Sequence, residues 1–124
     1  RYDAIVGRSA TRISGELLRR GTRLRVVGRA GVGVDNVDMA TATALGVAVI
    51  NAPAGNTVAV AELLFASLLA LKRHVVRAHT SLMEGRWDRS QLLGTELKGR
   101  TLGIVGVGRI GSEVAARALA FGMD

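Results

Sequence analysis

The sequence predicts an α/β chain in two parts: a parallel β-α-β-α-β piece, then a long helix leading into a strand, a glycine loop and a further helix. Three observations carry this. Short runs rich in β-branched residues alternate with segments whose apolar residues recur at helical spacing. The only proline, Pro53, follows the third such run and breaks the alternation. From Thr101 an apolar run passes through three glycines straight into a helical period.

Tyr2 to Gly7 has the length and composition of a strand, and Arg8-Ser9-Ala10-Thr11 is the loop after it. Ligands of open parallel sheets gather at the C-terminal ends of the strands, so Arg8 and Ser9 are candidate ligand contacts, with a solvated loop as the plain alternative. Ser14 is placed to cap a short helix through Arg20, with Leu17 and Leu18 facing inward and Gly21 ending it. Leu24 to Gly28 is the second strand. It leads into a glycine loop, Arg29-Ala-Gly-Val-Gly-Val-Asp-Asn36. Here the third glycine of a dinucleotide motif is replaced by an N-cap type of residue, and the next strand, Val47 to Asn51, ends in Asn where an acid is needed. The loop fails as a dinucleotide site, yet its adjacent amides suit a carboxylate. Asn36 is expected to cap a helix from Val37 to Leu45, with Gly46 beyond its end. This order implies parallel strands joined by right-handed crossovers. The domain boundary falls at Pro53, dividing 1–53 from 54–124.

Asn56 and Thr57 open a helix predicted to run from Val58 to Glu84, with Gly85 as its stop. Its first half is apolar on nearly every side, so it is expected to be covered all round, between domains and against a second subunit. His74 and His79 are five residues apart, which places them on different helical faces, and no Cys or suitably spaced carboxylate joins them. A metal site is not expected, and both read as surface histidines. Trp87 is expected to anchor its loop by packing. Lys98-Gly99-Arg100 is a turn.

Thr101 to Val105 then reads as a buried strand, and Ile110, Val114, Ala118 and Phe121 as the inner face of the last helix, ended by Gly122. Gly106, Gly108 and Gly111 have the G-x-G-x-x-G spacing. The first permits a tight turn, the second lets backbone approach a pyrophosphate, and the third lets helix pack closely on strand, so this is the start of a Rossmann nucleotide-binding domain. Arg109 adds a guanidinium to the phosphate loop. Glu113 and Arg117 form an i,i+4 pair in the favourable order. The acid that would bind the ribose lies beyond Asp124, so the choice between NAD and NADP is not encoded in this stretch. The chain reads as an internal segment of a longer protein, whose exposed sheet edge and face need a partner.

Composition narrows the function classes. The net charge is +7, and among 17 basic residues only Lys72 and Lys98 are lysines, which suits phosphate and carboxylate ligands. The arginines are scattered and the four aromatic residues are spread out, so nucleic acid is not the expected partner. The absence of Cys excludes disulfides and thiolate chemistry in this span and fits a cytoplasmic protein. The most apolar run, Val58 to Leu71, is interrupted by Glu62 and is shorter than the roughly 20 residues of a membrane span.

Four motifs, Val27 to Asp38, Val49 to Asn56, Glu84 to Trp87 and Gly103 to Gly111, together resemble the D-isomer-specific 2-hydroxyacid dehydrogenases, and within them the branch that oxidises 3-phosphoglycerate to 3-phosphohydroxypyruvate in serine biosynthesis. The resemblance covers essentially the whole chain. It implies a substrate domain flanking an NAD domain, with the long helix supporting a homodimer or higher oligomer. Residue by residue, it assigns Arg8, Ser9, Gly31, Gly33 and Asn56 to a phosphorylated 2-hydroxy acid. Val32, Gly106, Gly108, Arg109, Ile110 and Gly111 fall to NAD. The catalytic His, Glu and Arg of the family lie beyond residue 124, so no catalytic residue is assigned and the segment alone is expected to be silent. Other 2-hydroxyacid dehydrogenases, of glyoxylate or lactate type, and an NAD-sensing corepressor of the same fold are the rival readings.

Overall fold

A computed structural model describes residues 2–124. These form two compact units, one ending at Asn56 and the other beginning at Thr57.

In the first unit, strands β1 (Ala4–Gly7), β2 (Val26–Arg29) and β3 (Ala48–Asn51) form a parallel sheet in the order β1-β2-β3. Helices α1 (Gly15–Arg20) and α2 (Met39–Ala44) make the crossovers. The period of two along each strand divides the side chains. Ile5, Val27 and Val49 share one register row and pack on the core of Ile13, Leu18, Leu24, Val37, Ala42 and Val47. Ile13, Leu18 and Val27 are fully buried, each worth roughly 1.5–3 kcal/mol relative to exposure. The neighbouring row, Val6–Gly28–Ile50, points to the opposite face, where Val6 and Ile50 are largely exposed.

Ser14 caps α1 as expected, its hydroxyl accepting from the Leu17 amide at 3.3 Å, and Gly21 closes the helix. Only Leu18 of the two leucines faces inward; Leu17 is exposed, because six residues of helix bury a single narrow stripe. The cap of α2 is Asp38, not Asn36. The Asp38 carboxylate accepts from the Thr41 amide at 2.9 Å and the Thr41 hydroxyl at 3.0 Å. These two bonds, aided by Arg19 and Arg12, hold the Asp38 carboxyl below the usual carboxylate range. Asn36 is displaced from capping by a backbone bridge between Ile13 and Val37, which carries the chain in extended form to Asp38. Gly46 ends the segment in the left-handed conformation that favours glycine.

In the second unit the predicted single helix is two: α3 (Thr57–Lys72) and α4 (Val75–Met83). The break sits at His74, the sole non-glycine residue with positive φ (54°) among those described. Its cause is tertiary. The Lys72 carbonyl, which a continuing helix would engage through residue 76, instead accepts from the Thr95 amide at 3.0 Å. Gly94 lies so close that a Cβ there would collide with the Lys72 carbonyl oxygen. Gly85, with φ of 73°, then stops α4 as expected. Trp87 does not anchor the loop after α4, since it is 77% exposed. The loop is held instead by Asp88, which accepts from Ser81 Oγ at 2.8 Å and Arg86 Nε at 3.1 Å; these bonds keep its carboxyl low.

Helix α5 (Arg109–Ala120) packs on α3, with Val114 and Ala118 buried beside Ala61 and Phe65. Phe65 and Phe121 stack at 5.1 Å between ring centroids. Glu113 and Arg117 pair as expected. Residues 101–105 keep strand-like alternation, Leu102 and Ile104 turning toward the core, but they are not a strand, because a ladder needs a paired neighbour. One rung exists: Asp124 donates to the Arg100 carbonyl at 3.0 Å and Leu102 donates to the Asp124 carbonyl at 2.7 Å, a parallel exchange about Thr101.

The left-handed conformation costs a non-glycine residue about 1–2 kcal/mol. His74→Gly in the full-length protein is therefore expected to raise stability by about 1 kcal/mol, read as a higher urea midpoint at unchanged slope. An unchanged or lower midpoint would contradict the strain assigned to His74.

Candidate functional site

Two loops are candidates, one in each unit. In the first unit a cavity of about 510 Å³ opens at the C-terminal ends of the strands, lined by Arg8, Ser9, Arg29, Ala30, Gly31, Val32, Gly33, Ala52, Gly55 and Asn56. All six residues that sequence assigned in this unit, Arg8, Ser9, Gly31, Val32, Gly33 and Asn56, meet here. The topology explains why. Parallel strands point the loops after β1, β2 and β3 the same way, and backbone bonds then tie them together. Ala30 donates to the Gly7 carbonyl and Ala52 to the Gly31 carbonyl, each at 2.9 Å.

Side-chain amides complete the stitching. Asn36 Nδ2 donates to the carbonyls of Arg8 (3.0 Å) and Thr11 (2.7 Å), and Asn51 Nδ2 donates to the Val32 carbonyl at 2.6 Å. Asn51, whose lack of charge disqualified a ribose site, is thus a strut for the glycine loop. Arg29 is the residue that sequence reasoning passed over. Its guanidinium crosses Gly31 so closely that a Cβ there would overlap it. The one available hint was its position directly after a strand, the same criterion that singled out Arg8. The lining contributes two guanidiniums, and one carboxylate, that of Asp35, stands beside Gly33, so the balance of charge suits a small anion with hydrogen-bond acceptors.

In the second unit the glycine loop has the geometry its spacing requires. Gly106 has φ of 94°, the turn conformation that only glycine adopts freely. Gly111 is buried, and a Cβ there would run into the Gly106 carbonyl oxygen, so helix and preceding segment touch backbone to backbone. Gly108 has no protein atom within 4 Å of its Cβ position, which leaves its backbone approachable. No side chain caps α5 at Gly108, so the first-turn amides of a 12-residue helix are presented to a ligand together with the positive dipole end. Arg109 is exposed at the first helical position, while Ile110 turns its side chain to the core and offers its amide. Phosphates of a dinucleotide fit this cradle. His74 and His79 line neither site.

The chain is thus an α/β chain with a glycine-loop nucleotide cradle in one unit and an anion pocket in the other. The family described as D-isomer specific 2-hydroxyacid dehydrogenase, catalytic domain, matches residues 1–88, and the NAD binding domain of the same family matches residues 65–124. The chain belongs to this family. It is 54% identical over 122 residues to D-3-phosphoglycerate dehydrogenase of Bacillus subtilis, covering 98% of the chain and 23% of that protein. Its identity to hydroxypyruvate reductase of Thermotoga maritima is 47% over 121 residues, covering 98% of the chain and 40% of the relative. D-lactate dehydrogenase of Aquifex aeolicus, solved with NAD and lactic acid, superposes with a TM-score of 0.92 at 34% identity, over 99% of the chain and 37% of that structure. The chain thus spans about a quarter of the length of the phosphoglycerate dehydrogenases it matches.

The three glycines separate fold from binding. Gly111→Ala is expected to destabilise the full-length protein by about 1–3 kcal/mol through overpacking against Gly106. Gly108→Ala should leave the thermal midpoint nearly unchanged yet weaken NADH binding, measured by nucleotide fluorescence. Equal effects of both substitutions on stability would contradict the roles given to the two positions.

Proposed function

We propose that this chain is part of an NAD-dependent dehydrogenase that oxidises 3-phosphoglycerate to 3-phosphohydroxypyruvate, the reaction that opens serine biosynthesis. The observation that carries the reading is the pocket of Arg8, Ser9 and Arg29 around the Gly31–Gly33 loop, which has two guanidiniums in its lining against the single carboxylate of Asp35 beside Gly33. Phosphate contributes about −1.5 to −2 at neutral pH and the carboxylate one charge more, so the ligand is matched in sign and calls for two anion sites. Arg8 and Ser9 take the phosphate. The amides of Gly31 and Gly33 take the carboxylate, and Asn56 contacts the substrate alongside them. The Gly106–Gly111 loop, with Arg109 and the Ile110 amide, takes the pyrophosphate of NAD, and Val32 is assigned to the nicotinamide end.

NAD supplies the acceptor for the hydride that leaves C2 of the hydroxy acid. The described residues bind and orient. None lining the pocket is placed to take the hydroxyl proton, and by resemblance that role belongs to a His outside this stretch, oriented by a Glu. The hydroxypyruvate reductase relative supports a second reading, an unphosphorylated 2-hydroxy acid in the same pocket. Exposed Leu63 and Leu71 on α3 and Met83 on α4 support a homodimer formed through these helices; sedimentation of the full-length protein as a monomer would remove that part. No helix among the described residues is long and apolar enough to cross a membrane, which is compatible with a cytoplasmic enzyme.

A substrate panel on the full-length protein separates the two readings. Arg8→Gln is expected to lower kcat/KM for 3-phosphoglycerate roughly ten- to a hundredfold, the worth of a hydrogen bond to a charged group, while sparing glycerate. Equal losses on both substrates would contradict the phosphate assignment.

A further inference from the structure

Arg29 holds the pocket from within. Its guanidinium makes three hydrogen bonds: Nη2 to Ser9 Oγ at 3.1 Å, Nε to Asn36 Oδ1 at 3.4 Å, and Nη1 to the Ala30 carbonyl at 3.3 Å. Asn36 passes this hold on through its bonds to the Arg8 and Thr11 carbonyls. One planar fork at the end of β2 therefore ties down both ends of the 8–11 loop. Among the described residues, neither Arg8 nor Arg29 takes part in an ion pair. Both charges stay available to a ligand, and what orients them is the neutral network of Ser9, Asn36 and backbone carbonyls. Lysine would keep the charge at 29 but could not span three acceptors in one plane.

We propose that Arg29 is a positioning residue for phosphate recognition: by bonding Ser9 and Asn36 together it fixes the loop that presents Arg8 and Ser9, and so sets the preference for a phosphorylated acid over its unphosphorylated counterpart. This rests on the substrate reading above. Asn36 belongs to the same device, which gives the idea a second handle. Disconnecting Asn36 leaves both arginines in place but frees the Arg8 backbone, so it reproduces the Arg29 defect without changing the charge of the pocket.

The test is steady-state kinetics of the full-length protein and its Arg29→Lys, Arg29→Met and Asn36→Ala variants, with 3-phosphoglycerate and glycerate as substrates and NADH affinity as the check on folding. In all three variants the ratio of kcat/KM for 3-phosphoglycerate to that for glycerate should fall by about tenfold or more, with NADH affinity within about twofold of wild type. Retention of the wild-type ratio by Arg29→Lys would show that charge alone matters and would overturn the proposal. So would equal losses on both substrates, the mark of general damage. If Arg29→Met does not fold, the lysine and Asn36 variants carry the test. A wild-type protein that does not prefer the phosphorylated acid sinks the substrate reading and this proposal with it, whereas a preference that survives in the variants sinks only the role of Arg29.

Discussion

Parallel pairing is the constraint on which the first unit depends. Strands that all run one way must discharge their loops at one end, where backbone groups that no longer belong to the ladder need other partners. Here those partners are the loops themselves. Ala30 bonds Gly7, Ala52 bonds Gly31, and the carboxamides of Asn36 and Asn51 tie down Arg8, Thr11 and Val32. The register row Ile5–Val27–Val49 sets the strands at one height over the core, and this is what brings three loops distant in sequence around one cavity. The pocket is a consequence of the sheet.

In the second unit the governing contact is closer still. Backbone of α5 at Gly111 lies against backbone at Gly106, a separation that only a missing side chain permits. That contact positions the amino end of α5, and the uncapped amides there become available because no protein side chain competes for them. Packing of Val114 and Ala118 on Ala61 and Phe65 holds the helix in place from its other side. Close packing and open backbone amides thus draw on different glycines of one short loop.

Much of this was legible in the sequence. Each strand was a β-branched run, each turn had its glycine, and the caps at Ser14 and Gly85 obeyed local rules that need no tertiary information. That the loops bearing Arg8, Ser9 and Gly31 to Gly33 gather at one end follows from a parallel sheet, whereas Val32 and Asn56 came only from the family resemblance. What escaped reading was set by contacts between distant segments. The helix breaks at His74 because Gly94 and Thr95 reach back to the Lys72 carbonyl, and nothing near residue 74 announces it. Asn36 looked like a cap, but the Ile13–Val37 bridge extends the chain past it to Asp38. Thr101 to Val105 has a strand's composition, yet composition supplies no ladder partner. Arg29 escaped as well, because the three acceptors of its guanidinium are brought together only by folding.

The most direct test of the account is the orientation of 3-phosphoglycerate in a crystal structure of the full-length protein with NADH bound. The account predicts the phosphate against the Arg8 guanidinium and Ser9 hydroxyl and the carboxylate on the Gly31–Gly33 amides. A carboxylate on Arg8 with the phosphate in solvent, or a substrate bound away from this pocket, would contradict it.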